Sequence, residues 1–437
     1  MSQIAEISRG LASGRQMAEQ VAVGRYRTLE RHIPAGSGSS GDTGSVLYCG
    51  DNLELMSHLL EQGYAGRFRT IYIDPPFFTK SSYNAVASAR DAEGKLHRLR
   101  HLAYDDIFGR SLESYVSNMT ARMILMRELL ADDGLLWVHL DWHSSHYLRL
   151  VLDELYGPDR FRNEIIWTYK SGGSGKRHFA RKHDTILLYS KSKDCFLRIP
   201  QEKSYNRGLK PYRFKGVQEY RDETGWYTMV NMKDVWSIDM VGRTSGERNG
   251  YATQKPLELM CRILEASSEP GDLVGDFFCG SGSFQEAAER LGRIWIGCDM
   301  EEIAVSAAKK RLDHAGAVYE YRGTEDQKPV EGCLRMELVN EEAAAEGKYL
   351  CTYRIADFRP EIDYGYLANQ DRETARQLEQ NDPLALIDRI MIDPEGEEPF
   401  TVRISVPDGR SAIEVVTERR CGFLAVDIFG KEYLYRE

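Results

Sequence analysis

The 437-residue sequence lacks the features that define several common classes of protein. No apolar run approaches the roughly 18 residues of a membrane-spanning helix, and no apolar segment follows a basic N-terminus, so we expect neither membrane insertion nor secretion. The eight cysteines form no CxxC pair, which argues against a disulfide framework. His139 and His143 have no third ligand at metal spacing, so we expect no metal site. These absences favour a cytoplasmic protein with reduced, mostly buried thiols.

Two widespread nucleotide-binding motifs are also missing. A dinucleotide fingerprint would need a third glycine at position 285, which is Gln285, so NAD and FAD are disfavoured. A Walker loop is disfavoured as well. The pair Gly175-Lys176 is followed by Arg177, and Lys170 stands where the first glycine should be.

The stretch from residue 69 to residue 80 carries the first informative motif. Residues 70–73 are β-branched or aromatic and predict a buried strand, which Pro75 and Pro76 end directly after Asp74. The Asp74 carboxylate and the backbone carbonyls of Asp74 and Pro75 are hydrogen-bond acceptors, and Phe77 adds a flat apolar face. These groups suit a flat heteroaromatic ring with an exocyclic amino group. An ordinary β-turn beside a core phenylalanine is an equally weighted alternative.

A second motif, at residues 272–284, predicts a nucleotide-binding turn. An apolar strand ends at Asp276, a Gly-x-Gly turn follows at Gly280 and Gly282, and a helix comes next. The following predicted strand also ends on a carboxylate, Asp299, and an acid at this place commonly binds ribose hydroxyls. Asp299 is equally suited to cap the next helix, and the two roles are compatible.

The sequences DPPF at 74–77, FFCGSGSF at 277–284 and YATQKPL at 251–257 together resemble the motifs of DNA amino-methyltransferases that use S-adenosylmethionine. Their order, with the catalytic motif first, is similar to the permuted β group. That group includes the Mod subunits of Type III restriction-modification systems and solitary adenine-N6 methylases. The resemblance covers about residues 45 to 315. It implies an α/β fold with a doubly wound, mostly parallel, seven-stranded sheet and circularly permuted motif order.

The resemblance also implies roles for the motif residues. The catalytic residues would be Asp74, Pro75, Pro76 and Phe77. With the glycine motif, it gives as cofactor-binding residues Asp51, Thr253, Gln254, Lys255, Asp276, Phe278, Gly280, Gly282 and Asp299. Two of these have a plainer interpretation, because Asp51 is as well placed to cap the helix that follows it and Lys255 to be an exposed lysine at a helix N-terminus.

Three departures from the family pattern bear on activity. Phe77 replaces a more common tyrosine, Phe277 stands where proline is usual, and Ser283-Phe284 replaces a common Thr-Thr. Adenine N6 is the expected target, because aspartate leads the tetrapeptide, whereas serine there is more typical of enzymes that modify cytosine N4. The alternatives are an N4-cytosine methyltransferase, an RNA methylase and, from a different class, a catalytically silent DNA-binding or specificity subunit.

The net charge of −10 is unevenly distributed along the chain. Residues 160–215 contain 15 lysines and arginines against 4 aspartates and glutamates, a balance of +11, and aromatic residues are interleaved with them. Residues 321–437 contain 15 against 25, a balance of −10. The basic block predicts contact with duplex DNA, although a solvated face is the plainer interpretation. The candidate DNA-binding residues are Lys170, Lys176, Arg177, Arg181 and Lys182.

Five segments follow from these patterns. They are an N-terminal arm at 1–44 with a flexible linker from 35, a catalytic half at 45–190, a target-recognition region of irregular elements at 191–249, a cofactor-binding half at 250–320, and an acidic, mainly β appendage at 321–437. The polar stretch 78–110 is predicted to be a mobile loop that closes over the target nucleotide. For the appendage, homodimerisation and the docking of a restriction or specificity subunit are open alternatives.

Overall fold

A computed structural model describes most of the chain, namely residues 2–22, 30–35, 44–79, 82–105, 111–170, 177–242, 245–248, 251, 253–323, 329–394, 404–406, 409–418 and 421–436. Within these ranges the α-helices are α1 (Gln3–Ala22), α2 (Asn52–Glu61), α3 (Leu112–Leu129), α4 (Ser145–Tyr156), α5 (Leu257–Ser267), α6 (Ser283–Arg290), α7 (Glu302–His314) and α8 (Asn369–Asn381). Over the described residues no helix combines the length and the apolar composition that crossing a membrane requires.

The strands as far as the recognition region are β1 (Glu30–Ala35), β2 (Val46–Cys49), β3 (Phe68–Ile73), β4 (Ser82–Arg90), β5 (Leu96–Asp105), β6 (Leu130–Leu140), β7 (Phe161–Thr168), β8 (His183–Ser190), β9 (Gln201–Tyr205), β10 (Tyr220–Arg221), β11 (Trp226–Asn231) and β12 (Val235–Ser237). Those that follow are β13 (Leu273–Asp276), β14 (Ile294–Asp299), β15 (Tyr319–Gly323), β16 (Val330–Glu331), β17 (Leu334–Ala343), β18 (Tyr349–Phe358), β19 (Ile387–Asp393), β20 (Ile404–Val406), β21 (Ile413–Thr417), β22 (Gly422–Asp427) and β23 (Glu432–Arg436).

One large sheet organises the molecule, with strand order β1-β15-β2-β14-β13-β3-β6-β8-β7-β12. The six strands from β15 to β6 are parallel to one another, whereas β1 runs antiparallel to β15, and β8 runs antiparallel to β6 and β7. The predicted mixed α/β fold with a mostly parallel sheet is confirmed. Its size differs from the prediction, because β1 and β15 extend one edge and β12 the other, which gives ten strands rather than seven.

Helices cover both faces of this sheet, as the buried residues show. On one face α2, α3 and α4 supply an apolar layer that includes Met56 and Met119. On the other face α5, α6 and α7 supply a second layer that includes Ile263 and Phe284. Strands buried on both faces are nearly continuous apolar runs, as in β3, because neither face meets water.

The predicted N-terminal arm contains helix α1, which packs against α3. Two glycines allow the close approach of the helices: a Cβ added at Gly10 would lie 2.7 Å from Val116 Cβ, and one added at Gly14 would lie 2.5 Å from the Ser117 carbonyl oxygen. The predicted flexible linker at 35–44 falls almost entirely outside the described residues.

The stretch 78–110 is largely a hairpin, so the prediction of an irregular loop was wrong, while its closure over a target nucleotide stays a prediction. Strands β4 and β5 pair antiparallel, and the buried Ala89 and Leu99 pack in one apolar cluster with Leu367 of the C-terminal unit. Arg100 pairs with Asp371, 271 residues downstream. The sequence of this segment shows no regular pattern because the residues that stabilise the hairpin belong to the C-terminal unit, far away in the chain.

The other two additions are also sheets. In the recognition region β10, β11 and β9 form a three-stranded antiparallel sheet, so this region is more regular than predicted. The C-terminal unit, residues 329–436, contains a five-stranded sheet (β16-β23-β22-β19-β20), a three-stranded sheet (β17-β18-β21) and α8. It is joined to the large sheet by the buried ion pair between Lys309 of α7 and Glu432, 2.5 Å apart.

Candidate active site

Four carboxylates line up along one edge of the large sheet. Strands β2, β14, β13 and β3 are parallel neighbours in this order. Asp299 and Asp276 end their strands, while Asp51 and Asp74 follow theirs closely. Because parallel strands end at the same edge of a sheet, all four side chains line one cavity of about 420 Å³. The two remote sequence motifs therefore share a cavity.

Asp74 is the carboxylate with an open acceptor. Its Oδ2 is paired with the Lys255 ammonium, whereas its Oδ1 is buried and has no hydrogen-bond partner among the described residues. The backbone after it is fixed, because the Tyr115 hydroxyl donates to the Pro76 carbonyl at 3.0 Å. Pro75 is buried beside it. A buried acceptor left without a donor is costly, which marks Oδ1 as a place for a ligand N–H.

Phe77 lies next to this carboxylate and lines the cavity. Its ring stacks on His139, with the centroids 6.2 Å apart and the planes at 25°. Lys255 Nζ lies 5.9 Å from the Phe77 centroid. Lys255, which we grouped with the cofactor residues, therefore contacts the predicted catalytic tetrapeptide at 74–77, and it is not an exposed helix N-terminal residue.

A buried polar network supports the Phe77 ring from behind. The Tyr72 hydroxyl is 2.9 Å from His139 Nδ1, and His139 Nε2 is 3.3 Å from Asp184. Tyr169 donates to the same aspartate at 3.1 Å. Burial alone would raise the pKa of Asp184, but His139, the charge of Lys255 and the hydrogen bond from Tyr169 together outweigh it, so the pKa is lowered. The histidine thus has a structural role, as expected, and its two partners were not found from the sequence.

The glycine turn is held by Asp299. Its Oδ2 accepts from the Gly280 N–H at 2.8 Å and its Oδ1 from the Glu301 N–H at 3.1 Å. Asp276 accepts from the Phe278 N–H at 3.1 Å. Burial raises the pKa of Asp299, although these backbone donors lower it in part, and burial raises the pKa of Asp276 well above its usual range. Asp299 therefore holds the turn and the backbone just before α7, but it does not cap that helix, whose N-cap residue is Glu301.

Asp51 also has two roles. It caps α2, accepting from the Leu53 N–H at 2.8 Å, and it faces the cavity. The Arg122 guanidinium, buried in α3, donates to Asp51 at 2.9 Å and to Asn52 Oδ1 at 2.6 Å. Arg122 lines the cavity, and sequence reasoning missed it because it lies in a helix without a motif.

The two glycines of the turn differ in function. Gly280 lines the cavity and has φ of 49°. Gly282, with φ of 76°, is outside the cavity lining, and a Cβ there would lie 2.9 Å from Ala308 Cβ, so this glycine lets α6 approach α7. The absent third glycine is replaced by Gly297, where a Cβ would lie 2.7 Å from the buried Gln285 amide. The close contact between α6 and β14 is thus made possible by a glycine on the strand and not on the helix.

Some of the remaining predicted cofactor residues line the cavity, and one of them supports it from outside the lining. Thr253 and Phe278 line the cavity. Gln254 is buried outside the lining, and its amide donates to the Glu247 carbonyl at 2.7 Å, so it holds the segment before α5 in place.

The departures from the family pattern are accommodated by packing. Phe277 is fully buried and packs on Phe68, with centroids 5.8 Å apart. Phe284 stacks on Tyr72 at 5.5 Å with the planes at 10°. Both phenylalanines thus contribute to the core as well as to the cavity wall.

The predicted DNA-binding residues lie on or beside an exposed loop. Lys170 pairs with Asp239 at 3.2 Å, Arg177 is exposed, and the Arg181 guanidinium stacks over the Trp142 ring at 3.8 Å. Lys182 is half-buried beside them, and Lys176 lies outside the described residues.

A doubly wound sheet with four strand-end carboxylates around one cavity defines an α/β enzyme that uses a nucleotide-type cofactor. A family model described as DNA methylase matches residues 68–310. The chain therefore belongs to the N6/N4 family of DNA methyltransferases, which use S-adenosylmethionine as methyl donor.

Individual relatives cover similar parts of the chain. Type II methyltransferase M.EcaI of Enterobacter cloacae is 30% identical over 322 residues, 60% of this chain and 68% of the relative. M2.LlaDCHI of Lactococcus lactis subsp. cremoris is 28% identical over 265 residues, 60% and 87%. M1.MboII of Moraxella bovis is 37% identical over 163 residues, 34% and 61%. The chain thus spans 61 to 87% of the lengths of these three proteins.

Two solved structures are also similar to the chain. The complex of M1.HpyAVI with SAM has 18% identity and a TM-score of 0.40, covering 61% of this chain and 99% of the other. The cytosine-N4-specific PvuII DNA methyltransferase has 17% identity and a TM-score of 0.42, covering 66% and 95%.

The residues of the cavity fit S-adenosylmethionine. Asp51 and Asp299 would accept hydrogen bonds from the ribose hydroxyls, and the Gly280 turn leaves room for close approach of the ligand. Phe278 and Met300 supply apolar surface for the adenine ring. The two polar groups and the two apolar groups lie in one concave site, as in other cofactor pockets.

Proposed function

We propose that the protein transfers a methyl group to the N6 amino group of adenine in duplex DNA, with the target base flipped out of the helix. The observation that carries this proposal is the pair formed by Asp74 and Phe77. A buried acceptor oxygen without a protein donor among the described residues stands beside a flat aromatic ring. An amino group on a heteroaromatic ring has both features that these residues complement.

Base flipping is needed because a base stacked inside a duplex cannot enter the cavity and place its amino nitrogen beside Asp74. Extrusion costs about a few kcal/mol, and stacking on Phe77 would offset about 1–3 kcal/mol of that cost. The His139 ring behind Phe77 limits its rotation, so the stacking face is fixed before the base arrives.

The chemistry of the transfer depends on hydrogen bonds to the amino group. Asp74 Oδ1 and the Pro75 carbonyl would each accept a hydrogen bond from one amino N–H, which draws the nitrogen toward tetrahedral geometry and localises its lone pair for direct attack on the methyl carbon as the bond from that carbon to sulfur breaks. Lys255 pairs with the other carboxylate oxygen and so holds the Asp74 side chain in one orientation. When bound, S-adenosylmethionine supplies an electrophilic methyl group on its sulfonium sulfur. No covalent enzyme intermediate is needed.

The proposed DNA-contacting surface lies in the basic and aromatic region. Phe179 is 98% exposed, next to Arg177 and Arg181 in the loop before β8. In the small recognition sheet, Tyr220 stacks on Tyr227 with centroids 5.6 Å apart. In DNA-binding proteins, cationic side chains contact the phosphates and exposed side chains contact the bases.

Nucleoside analysis of methylated DNA tests the target. Unmethylated plasmid would be incubated with the protein and S-adenosylmethionine, digested, and analysed for N6-methyladenine and N4-methylcytosine. We expect N6-methyladenine alone, none with the Asp74→Ala variant, and none on an RNA substrate. N4-methylcytosine would refute the adenine assignment. DNA binding without either product would favour a silent specificity subunit.

A further inference from the structure

One part of the cavity wall comes from the C-terminal unit, beyond the residue 310 at which the family match ends. Tyr366 lines the cavity, as does Leu102 of the hairpin. The two are joined, because the Leu102 N–H donates to the Tyr366 carbonyl at 2.9 Å. The Tyr366 residue is nevertheless 49% exposed, so much of its ring is open to a ligand.

The position of the Tyr366 ring is fixed by a stack of side chains. His101 stacks on Tyr366 with centroids 5.7 Å apart at 19°, and on Phe429 at 5.4 Å and 29°. Burial lowers the pKa of His101, which favours the neutral imidazole in this stack. A ring held in this way loses little conformational freedom when a ligand packs on it.

The backbone that carries these rings is anchored as well. Asp371 accepts from the Arg100 N–H at 2.9 Å and from two of its guanidinium nitrogens at 2.9 and 3.0 Å. Ala89 and Leu99 are buried with Leu367, next to Tyr366 in sequence. The hairpin and the C-terminal unit are therefore anchored to each other beside the two residues, Leu102 and Tyr366, that line the cavity.

We propose that Tyr366 is a ligand-contacting residue of the active site, whose ring packs against a flat heteroaromatic ring bound in the cavity. The inference rests on the proposed function, which supplies two such rings: the adenine of the cofactor and the extruded target base. The C-terminal unit then contributes directly to methyl transfer, in addition to any role in assembly.

Variants of two tyrosines test this assignment. Tyr366→Ala removes the ring, Tyr366→Phe keeps it, and Tyr349→Ala removes a tyrosine of similar exposure, 41%, in the same unit but outside the cavity lining. We expect Tyr366→Ala to lose about tenfold in ligand affinity or in kcat/KM, consistent with the loss of one ring stack. The other two variants should stay within about twofold of the wild type, and thermal unfolding should show that all three are folded.

Calorimetry shows whether the Tyr366 ring packs on the adenine of the cofactor or on the target base. If S-adenosylmethionine binds Tyr366→Ala about tenfold more weakly in the absence of DNA, the ring contacts the cofactor adenine. If that affinity is unchanged while duplex affinity or kcat/KM for DNA falls, the ring contacts the target base. Wild-type behaviour of Tyr366→Ala in all measurements would overturn the proposal, as would an equal loss in Tyr366→Phe, which would assign the effect to the hydroxyl group.

The same measurements separate this inference from the proposed function. If the wild type methylates neither base, the proposed function fails. The affinities of the wild type and Tyr366→Ala for S-adenosylmethionine and for duplex DNA still decide the role of the ring: a tenfold difference supports it, and equal affinities refute it.

Discussion

The large sheet and the C-terminal unit both contain strands that end on an aspartate, but these aspartates have different roles in the two regions. In the large sheet, Asp276 and Asp299 end β13 and β14, and each accepts an N–H from two residues further on; Asp276 is buried and Asp299 is half-buried. In the C-terminal unit Asp427 ends β22, is buried, and accepts the Phe429 N–H at 2.9 Å. The local chemistry of the three strand ends is therefore the same.

The surrounding topology decides what each carboxylate does. Asp427 closes a hairpin, and its remaining capacity is used within the unit by the Lys431 N–H at 3.0 Å and the Tyr433 hydroxyl at 3.0 Å. Asp276 and Asp299 end parallel strands, whose chains continue into helices and leave a crevice at the sheet edge. Of these three strand-end aspartates, the two that line the cavity, Asp276 and Asp299, are those that end parallel strands.

Replacing Asp74 is the strongest test of this difference. Because its free oxygen is the proposed acceptor of the amino proton, Asp74→Ala should lower the methyl-transfer rate by about 10³-fold while S-adenosylmethionine affinity changes by less than about threefold. Single-turnover kinetics and calorimetry measure the two quantities, and Asp74→Asn, which conserves volume, should behave alike. Transfer near the wild-type rate in Asp74→Ala would remove the catalytic assignment.

Asp299→Ala should act on cofactor affinity. The Gly280 and Glu301 N–H groups lose their acceptor, and the proposed ribose contact is lost, so we expect S-adenosylmethionine to bind about 10- to 100-fold more weakly. At saturating cofactor the rate should largely recover. Asp299→Asn, which keeps one acceptor oxygen, serves as the matched variant. A large fall in rate with unchanged affinity would contradict this division of roles.

Asp371→Asn addresses the contact between the two regions. Loss of the carboxylate weakens the hold on Arg100, so we expect faster hydrogen exchange of hairpin amides in residues 82–105 and a rate lowered about three- to tenfold. Glu337→Gln breaks an exposed ion pair with Arg354 in the same unit and is the control. Unchanged exchange in the hairpin would show that the apolar cluster alone holds it.

Asp427→Asn should leave methyl transfer within about twofold of the wild type, because its carboxylate faces no ligand. Burial raises the pKa of Asp427 to about 6. A raised carboxyl pKa contributes stability below its ordinary pKa that is lost as pH rises through about 6, by at most about 3 kcal/mol. Denaturant titrations at pH 4 and pH 8 should show the variant gaining stability relative to the wild type only at the higher pH. An equal difference at both values would contradict the assignment.

Local patterns were sufficient to locate the strand ends. A β-branched run stopped by Pro75 and Pro76 identifies the end of β3, and the glycine turn after Asp276 identifies the end of β13. That these two strands pair directly is a finding of the structure and was not predicted.

Contacts over long sequence distances were not predictable in this way. Arg122 lies in a helix between Ala121 and Met123, and only its charge within a buried stretch distinguishes it. Tyr366 and the hairpin have no motif, since what orders them is an apolar cluster shared between parts of the chain that no local periodicity connects.

The ion pair between Arg100 and Asp371 has a consequence for biosynthesis. Arg100 is synthesised 271 residues before Asp371. A nascent chain that already contains residues 74–77 and the hairpin therefore still lacks the C-terminal surface on which the hairpin packs. Contacts of such high sequence separation form late. We therefore expect the ability to modify DNA to arise only after the C-terminal unit has been synthesised and folded.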